Sequence, residues 1–192
     1  MENPHKLPKE PDKRIRSVVV FFTYRGGGLM NSTRLMKLAY LTELRSIERW
    51  GKRFTDADFR HWRYGPYSQD VSLAMEGIAP EANVTIRVTP KGKGKFFLPT
   101  KNGVEVDLSK EELDFLEDVA KDWLFAPNEK LIAATKTSPP FTWTKFGDTI
   151  PFTEYAAFAR QLKNLRSGRI GKAVVSLESA DEVKDFVRAL AP

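Results

Sequence analysis

Apolar positions along the chain follow two periods, and the densest cluster lies at Arg34–Tyr67. Leu35, Met36, Leu38, Ala39, Tyr40 and Leu41 are interrupted only by Lys37. A helix that is apolar nearly all round is a core helix with neighbours on several sides. From Thr42 the pattern thins to Leu44 and Ile47 among Glu43, Arg45, Glu48 and Arg49, which predicts a surface. Asn31 or Ser32 suits the N-cap, and Gly51 suits the C-terminal stop. The aromatic run Trp62-Arg63-Tyr64 follows a polar break, with Arg60–Tyr64 read as extended. Gly65 permits a sharp turn, and Pro66 fits the first position of a helix running to Ile78, with Val71, Ala74, Met75 and Ile78 on one face.

Other segments follow the same logic. Asp12 suits the cap of a helix carrying Ile15, Val18, Val19 and Phe22, although Val18–Phe22 is also strand-like. Gly26-Gly27-Gly28 lacks both a Gly-Lys-Ser/Thr ending and a GxGxxG spacing, and reads as a plain loop rather than a phosphate cradle. Asn83–Val88 and Lys95–Leu98 read as strands of a hairpin around Pro90-Lys-Gly-Lys-Gly, with Val104–Leu108 as a third strand. Ser109 and Glu112 form a capping box for a helix with Leu113, Leu116, Ala120 and Trp123 on its face and acids outside. Pro127-Asn128 opens a short helix that Ser138-Pro139-Pro140 ends. After an irregular aromatic loop, FTWTKFGDTIPF, Thr153 suits the cap of a helix with Tyr155, Phe158, Leu162 and Leu165. A strand at Lys172–Leu177 and a capped helix to Leu190 close the chain.

The helices and strands do not alternate, so the class is α+β. The expected fold is a mainly helical domain around a central buried helix, with a small antiparallel β-sheet insertion at 82–108. A loose arm at 1–11 precedes this domain at 12–168, and a strand–helix appendage at 169–192 follows it.

Composition narrows the function classes. The chain has 192 residues, 41% of them hydrophobic, with 13 Phe and no Cys, so thiolate chemistry and disulfides are excluded. No stretch approaches the roughly 18 apolar residues of a membrane span. The polar start MENPHKLPKEPDKR has no apolar run like a signal peptide, and a cytoplasmic location is expected. A net charge of +6 permits nucleic acid or an acidic protein as partner without choosing between them.

Candidate chemistry is thin. His5 and His61 are the only histidines, and HExxH, GxSxG and acidic calcium loops are absent, so no metal, cofactor or catalytic set is expected. Ser68 has no identifiable base, and His61 beside aromatics reads as a packed or surface residue. An ammonium at Lys37 must be paired or must snorkel to water, and snorkelling is the expectation. Trp62, Tyr64 and Tyr67 around Gly65-Pro66 either pack one end of the central helix or, with Arg60 and Arg63, form a protein-binding hot spot. Lys91, Lys93 and Lys95 read as a solvated hairpin tip rather than a phosphate contact.

Three pieces carry a family resemblance. They are Lys37-Leu38-Ala39-Tyr40-Leu41, then Trp62-Arg63-Tyr64-Gly65-Pro66, then Pro140-Phe141-Thr142-Trp143 through Gly147 and Ile150. In order and spacing they resemble the Panacea domain, also known as the SocA-like antitoxin or phage-associated GepA-type domain, over about residues 12 to 166. Two departures stand out. Tyr67 follows Gly-Pro where the family usually has Val. Thr137 or Ser138 stands where it tends to carry His before the Pro-x-x-Trp loop.

The resemblance implies a non-enzymatic antitoxin that neutralises a protein toxin encoded nearby. In the SocA type it also implies an adaptor delivering the toxin to a ClpXP-type protease. Lys37, Arg60, Trp62, Arg63, Tyr64, Tyr67 and Trp143 are the candidate partner-binding residues, with the hairpin and the tail tuning partner choice. The alternative is a nucleic-acid-binding regulator of its own operon or a phage-associated regulatory protein. The Lys and Arg residues are scattered, however, and no recognition helix stands out.

Overall fold

The computed structural model describes residues 13–89, 94–101 and 103–167. The expected N-terminal arm, the Asp12 cap, the tip lysines Lys91 and Lys93, and the Lys172–Leu190 appendage lie outside the described residues. The chain falls into two units, Met1–Ala159 and Arg160–Pro192. The elements below belong to the first, except that the last helical turns cross into the second.

The first helix, α1 (Lys13–Arg25), buries Ile15, Val18, Val19 and Phe22 as expected, and Ser17, Val20, Phe21 and Thr23 as well. Thr23 keeps its hydroxyl bonded inside this apolar setting by donating to the Val19 carbonyl at 2.8 Å. The Gly-rich loop therefore leaves a helix rather than a strand, and it turns the chain into β1 (Met30–Asn31).

The central helix is α2 (Ser32–Trp50). Asn31 is its N-cap, accepting from Arg34 N, and Gly51 stops it at φ 72°. Burial extends further than the pattern predicts. Thr42, Glu43 and Ser46 are each 0% exposed, where a surface was expected. The cause is Glu43. Its carboxylate accepts from Phe54 N at 3.0 Å, Thr55 N at 3.1 Å and the Thr55 hydroxyl, with Arg53 alongside. That cluster folds the Arg53–Ala57 segment back over the helix. Burial pushes the Glu43 carboxyl up, while Arg53 and these donors pull it back.

Pro66 does not open a helix. It lies in β3 (Gly65–Tyr67), which pairs with β2 (Arg60–Trp62) in a two-stranded hairpin. Pro66 has no N–H to give, and Ser68 supplies the cap instead, accepting from Val71 N ahead of α3 (Gln69–Glu81). β4 (Val84–Val88) and β5 (Lys95–Pro99) form the expected hairpin. Their third partner is β1, through Met30↔Phe97 and Asn31↔Phe96, and not Val104–Leu108. The Leu108 N–H bonds to the Val106 carbonyl at 2.9 Å, a tight local turn that breaks the extended geometry. Val104, Val106 and Leu108 pack half-buried on the core.

The capping box opens α4 (Lys110–Trp123) as expected. Its buried face is Phe115, Leu116, Val119 and Ala120, turned slightly from the predicted stripe. The acidic outer face is not simply solvated. Arg25 meets Glu117 at 2.8 Å, Arg49 meets Asp118 at 3.0 Å, and Arg45 meets Asp122, so α4 docks on α1 and α2 through charge as well as apolar contact. Then come α5 (Asn128–Lys136), α6 (Pro139–Thr142) and α7 (Phe152–Arg166). α6 is a single turn inside the loop read as irregular, and α7 starts one residue ahead of the expected cap Thr153. Two aromatic clusters fill the core around α2: Trp50, Phe54 and Phe115, and Tyr40, Phe59 and Phe152.

Candidate functional site: a buried lysine under an aromatic face

The three pieces singled out in the sequence meet on one side of α2. Lys37 and Tyr40 lie one helical turn apart there, so they share a face. Lys37 is 3% exposed, and its ammonium donates to the Pro66 carbonyl at 3.0 Å. It does not snorkel. The reason is Gly65, which has no side chain and sits at φ 98°; a Cβ there would stand 2.7 Å from Lys37 Nζ. The bare backbone gives the ammonium a place inside. Burial, with a smaller contribution from the nearby Lys136 cation, pulls the Lys37 pKa down to about 8.

Tyr40 reaches Ser138, two residues ahead of the third piece. Its hydroxyl lies 2.8 Å from Ser138 Oγ, and Ser138 Oγ lies 2.8 Å from the Thr135 carbonyl. A carbonyl only accepts, so Ser138 gives its one proton to Thr135 and Tyr40 donates to Ser138. The Ser138 hydroxyl is thus bonded on both sides.

The second and third pieces are joined to each other as well. His61 N donates to the Asp148 carbonyl at 2.9 Å and Gly147 N to the His61 carbonyl at 2.9 Å. The His61 ring lies 3.9 Å from Phe141 and bonds the Thr144 carbonyl through Nδ1. Both ring contacts fit a packed residue, in agreement with the sequence reading.

Above this frame stands a set of uncovered aromatics. Trp62 is 47% exposed and stacks on Phe146, itself 63% exposed, at 5.0 Å. Tyr64 is 71% exposed with the Arg63 guanidinium over its ring, and Tyr67 is 38% exposed. Trp62, Tyr64 and Tyr67 border a cavity of about 230 Å³ that Lys37, Gly65 and Pro66 also line. Trp62, Tyr67 and Arg60 border a second, wider cavity with Asp58 and Asp70. Trp143 points elsewhere, against Tyr155 and Phe158 of α7. Phe146 was not picked out from the sequence, though it lies within the aromatic loop that was.

A family model described as "Antitoxin SocA-like, Panacea domain" matches residues 35–143. The chain belongs to this family. No curated protein and no solved structure matches it. The matched Panacea stretch holds Lys37, Tyr40, the β2–β3 hairpin, Ser138 and Trp143, while Phe146 and α7 lie beyond it. Among the described residues of this Panacea chain, no three His, Asp or Glu side chains are grouped to hold a metal ion. No described helix is long and apolar enough to cross a membrane.

Proposed function

We propose that this chain is the antitoxin of a toxin–antitoxin pair, neutralising a protein encoded beside it by direct contact in the cytoplasm. The observation that supports this reading is the uncovered group of Trp62, Tyr64 and Tyr67, held on a hairpin fixed to α2 through Lys37, with Phe146 of the α6–α7 loop stacked on Trp62. Large aromatics with neighbouring Arg make the hot spots of protein interfaces. A rigid backbone beneath them lowers the entropy lost on binding. Such a role needs binding and no catalytic group.

We take blocking as the mode, because it needs only this face. Delivery to a ClpXP-type protease would need a second docking surface on the same chain. Binding to operator DNA is the weaker reading, since Arg25, Arg45 and Arg49 are engaged by carboxylates of α4. The test is co-expression with the neighbouring reading frame. The neighbour is expected to arrest growth alone, to be harmless with this chain, and to co-purify with it at an unchanged level. A neighbour that is harmless alone overturns the reading, and one that vanishes in a protease-dependent way favours the adaptor mode.

A further inference from the structure

Lys37 has donors to spare. An ammonium carries three N–H donors, and among the described residues only the Pro66 carbonyl receives one. No Asp or Glu lines the cavity beside it, and the charge that acts on it is another cation, Lys136. The same fold treats its other deeply buried charge differently: Glu43 collects Arg53, two backbone N–H groups and a hydroxyl. An ion left without a counter-charge inside a protein is costly, so Lys37 stands out as a half-completed pair.

The cavity supplies the missing half's shape. Its volume, about 230 Å³, admits one side chain. Trp62, Tyr64 and Tyr67 give it aromatic walls that suit an aliphatic stem, and Lys37 supplies a single positive charge. We infer that this cavity receives one acidic side chain, an Asp or Glu of the protein partner, whose carboxylate takes the free donors of Lys37. The inference rests on the reading that the aromatic face binds a protein. A carboxylate matches the lone ammonium in charge, whereas a phosphate dianion exceeds it.

Two arms test it on the full chain. In the first, N-acetyl-glutamate N-methylamide and its glutamine counterpart are titrated while the amide NMR signals of Trp62 and Gly65 are followed. The glutamate form is expected to bind about tenfold or more tighter, and Lys37→Met to abolish the preference. Equal binding of the two forms overturns the inference, and so does inorganic phosphate binding more tightly than the glutamate form.

In the second arm, the neighbouring gene product is bound to wild-type chain and to Lys37→Met. The substitution is expected to weaken binding about tenfold or more while raising the melting temperature, which separates lost recognition from lost folding. One Asp→Asn or Glu→Gln change on the partner should give the same loss and add nothing to Lys37→Met. If no such change on the partner matters, the inference falls while the antitoxin reading stands; that scan also decides if Lys37→Met fails to fold. If the wild-type chain does not bind its neighbour at all, the antitoxin reading falls and the first arm alone judges the cavity.

Discussion

The Lys37 ammonium donates to Pro66 at 3.0 Å at a point where a Cβ on Gly65 would stand 2.7 Å from the same nitrogen. Two of the three sequence pieces therefore act as one packing unit: the glycine is the space that the lysine fills. With Tyr40 bonded to Ser138 one helical turn further on, α2 fastens the β2–β3 hairpin and the α5–α6 junction from a single face.

Gly65→Ala is expected to destabilise the fold by about 1–3 kcal/mol, most of it from forcing a side chain onto a left-handed backbone at φ 98°. The ammonium can swing away from the new methyl group, but it then loses Pro66. In a Lys37→Met background that second part disappears, so the same glycine change should cost less without becoming neutral. Urea denaturation of the four proteins in the cycle measures both quantities, and a loss below about 0.5 kcal/mol for Gly65→Ala would show that the turn relaxes.

Stability should rise with pH above neutrality. The unfolded chain keeps the Lys37 proton up to about 10.5, while burial makes the folded chain release it at about 8. Between those values the unfolded state binds more protons, so raising the pH favours folding. At about 1.4 kcal/mol per tenfold, the full effect is bounded near 3 kcal/mol. Above about 10 the trend reverses, because burial holds the Tyr40 and Tyr155 hydroxyls protonated in the folded state. The charge that acts on Lys37 is that of Lys136 on α5, another cation, and no carboxylate lines the cavity beside it. Melting curves from pH 7 to 10 should show the rise in wild type and a flat line in Lys37→Met. A rise that survives the substitution would assign it to another group.

Proton direction at Tyr40 makes two small changes unequal. Tyr40→Phe removes a donor and leaves Ser138 still bonded to Thr135, so a loss of about 0.5–1.5 kcal/mol is expected. Ser138→Ala strands the Tyr40 hydroxyl, whose residue is 0% exposed, and should cost about 1–3 kcal/mol. The double variant should cost less than the sum. Equal losses from the two single changes would mean that the Ser138 proton points to Tyr40 instead.

Much of this fold was legible because its signals are local. Asn31 and Gly51 bracket α2, Ser109 and Glu112 open α4, and the β-branched residues of Asn83–Val88 mark the strand at Val84–Val88, each within a few residues of the element it defines. What sequence reasoning missed depends on partners far along the chain. Lys37 was expected to reach water because nothing near it in sequence shows that Gly65 leaves room inside. Glu43 lay in a stretch with a surface pattern, and only its capture of Phe54 and Thr55 buries it. The third strand lies ahead of α2, beyond the reach of a hairpin rule. The candidate site was half legible. Trp62, Tyr64 and Tyr67 were found together, whereas Phe146 comes to Trp62 only through the pairing of Arg60–His61 with the Gly147–Thr149 turn.

Trp62 and Trp143 carry nearly the same exposure, 47% and 45%, yet they should behave differently. Trp62 lies in the open aromatic face with Phe146 as its ring partner, whereas Trp143 packs on Tyr155 and Phe158. Trp62→Ala is therefore expected to weaken binding of the neighbouring gene product by about 2 kcal/mol or more, roughly thirtyfold, the range of a hot-spot residue. It should change stability by less than that, since its ring partner Phe146 is itself 63% exposed, whereas Trp143 packs on the buried Tyr155. Trp143→Ala should do the reverse, lowering the melting temperature through the lost contacts with α7 while changing affinity only a few-fold. Calorimetric titration and thermal melts on the same two variants separate the roles. If Trp143→Ala abolished binding at unchanged stability, the interface would lie around α6 and α7, and the hairpin face would lose its claim.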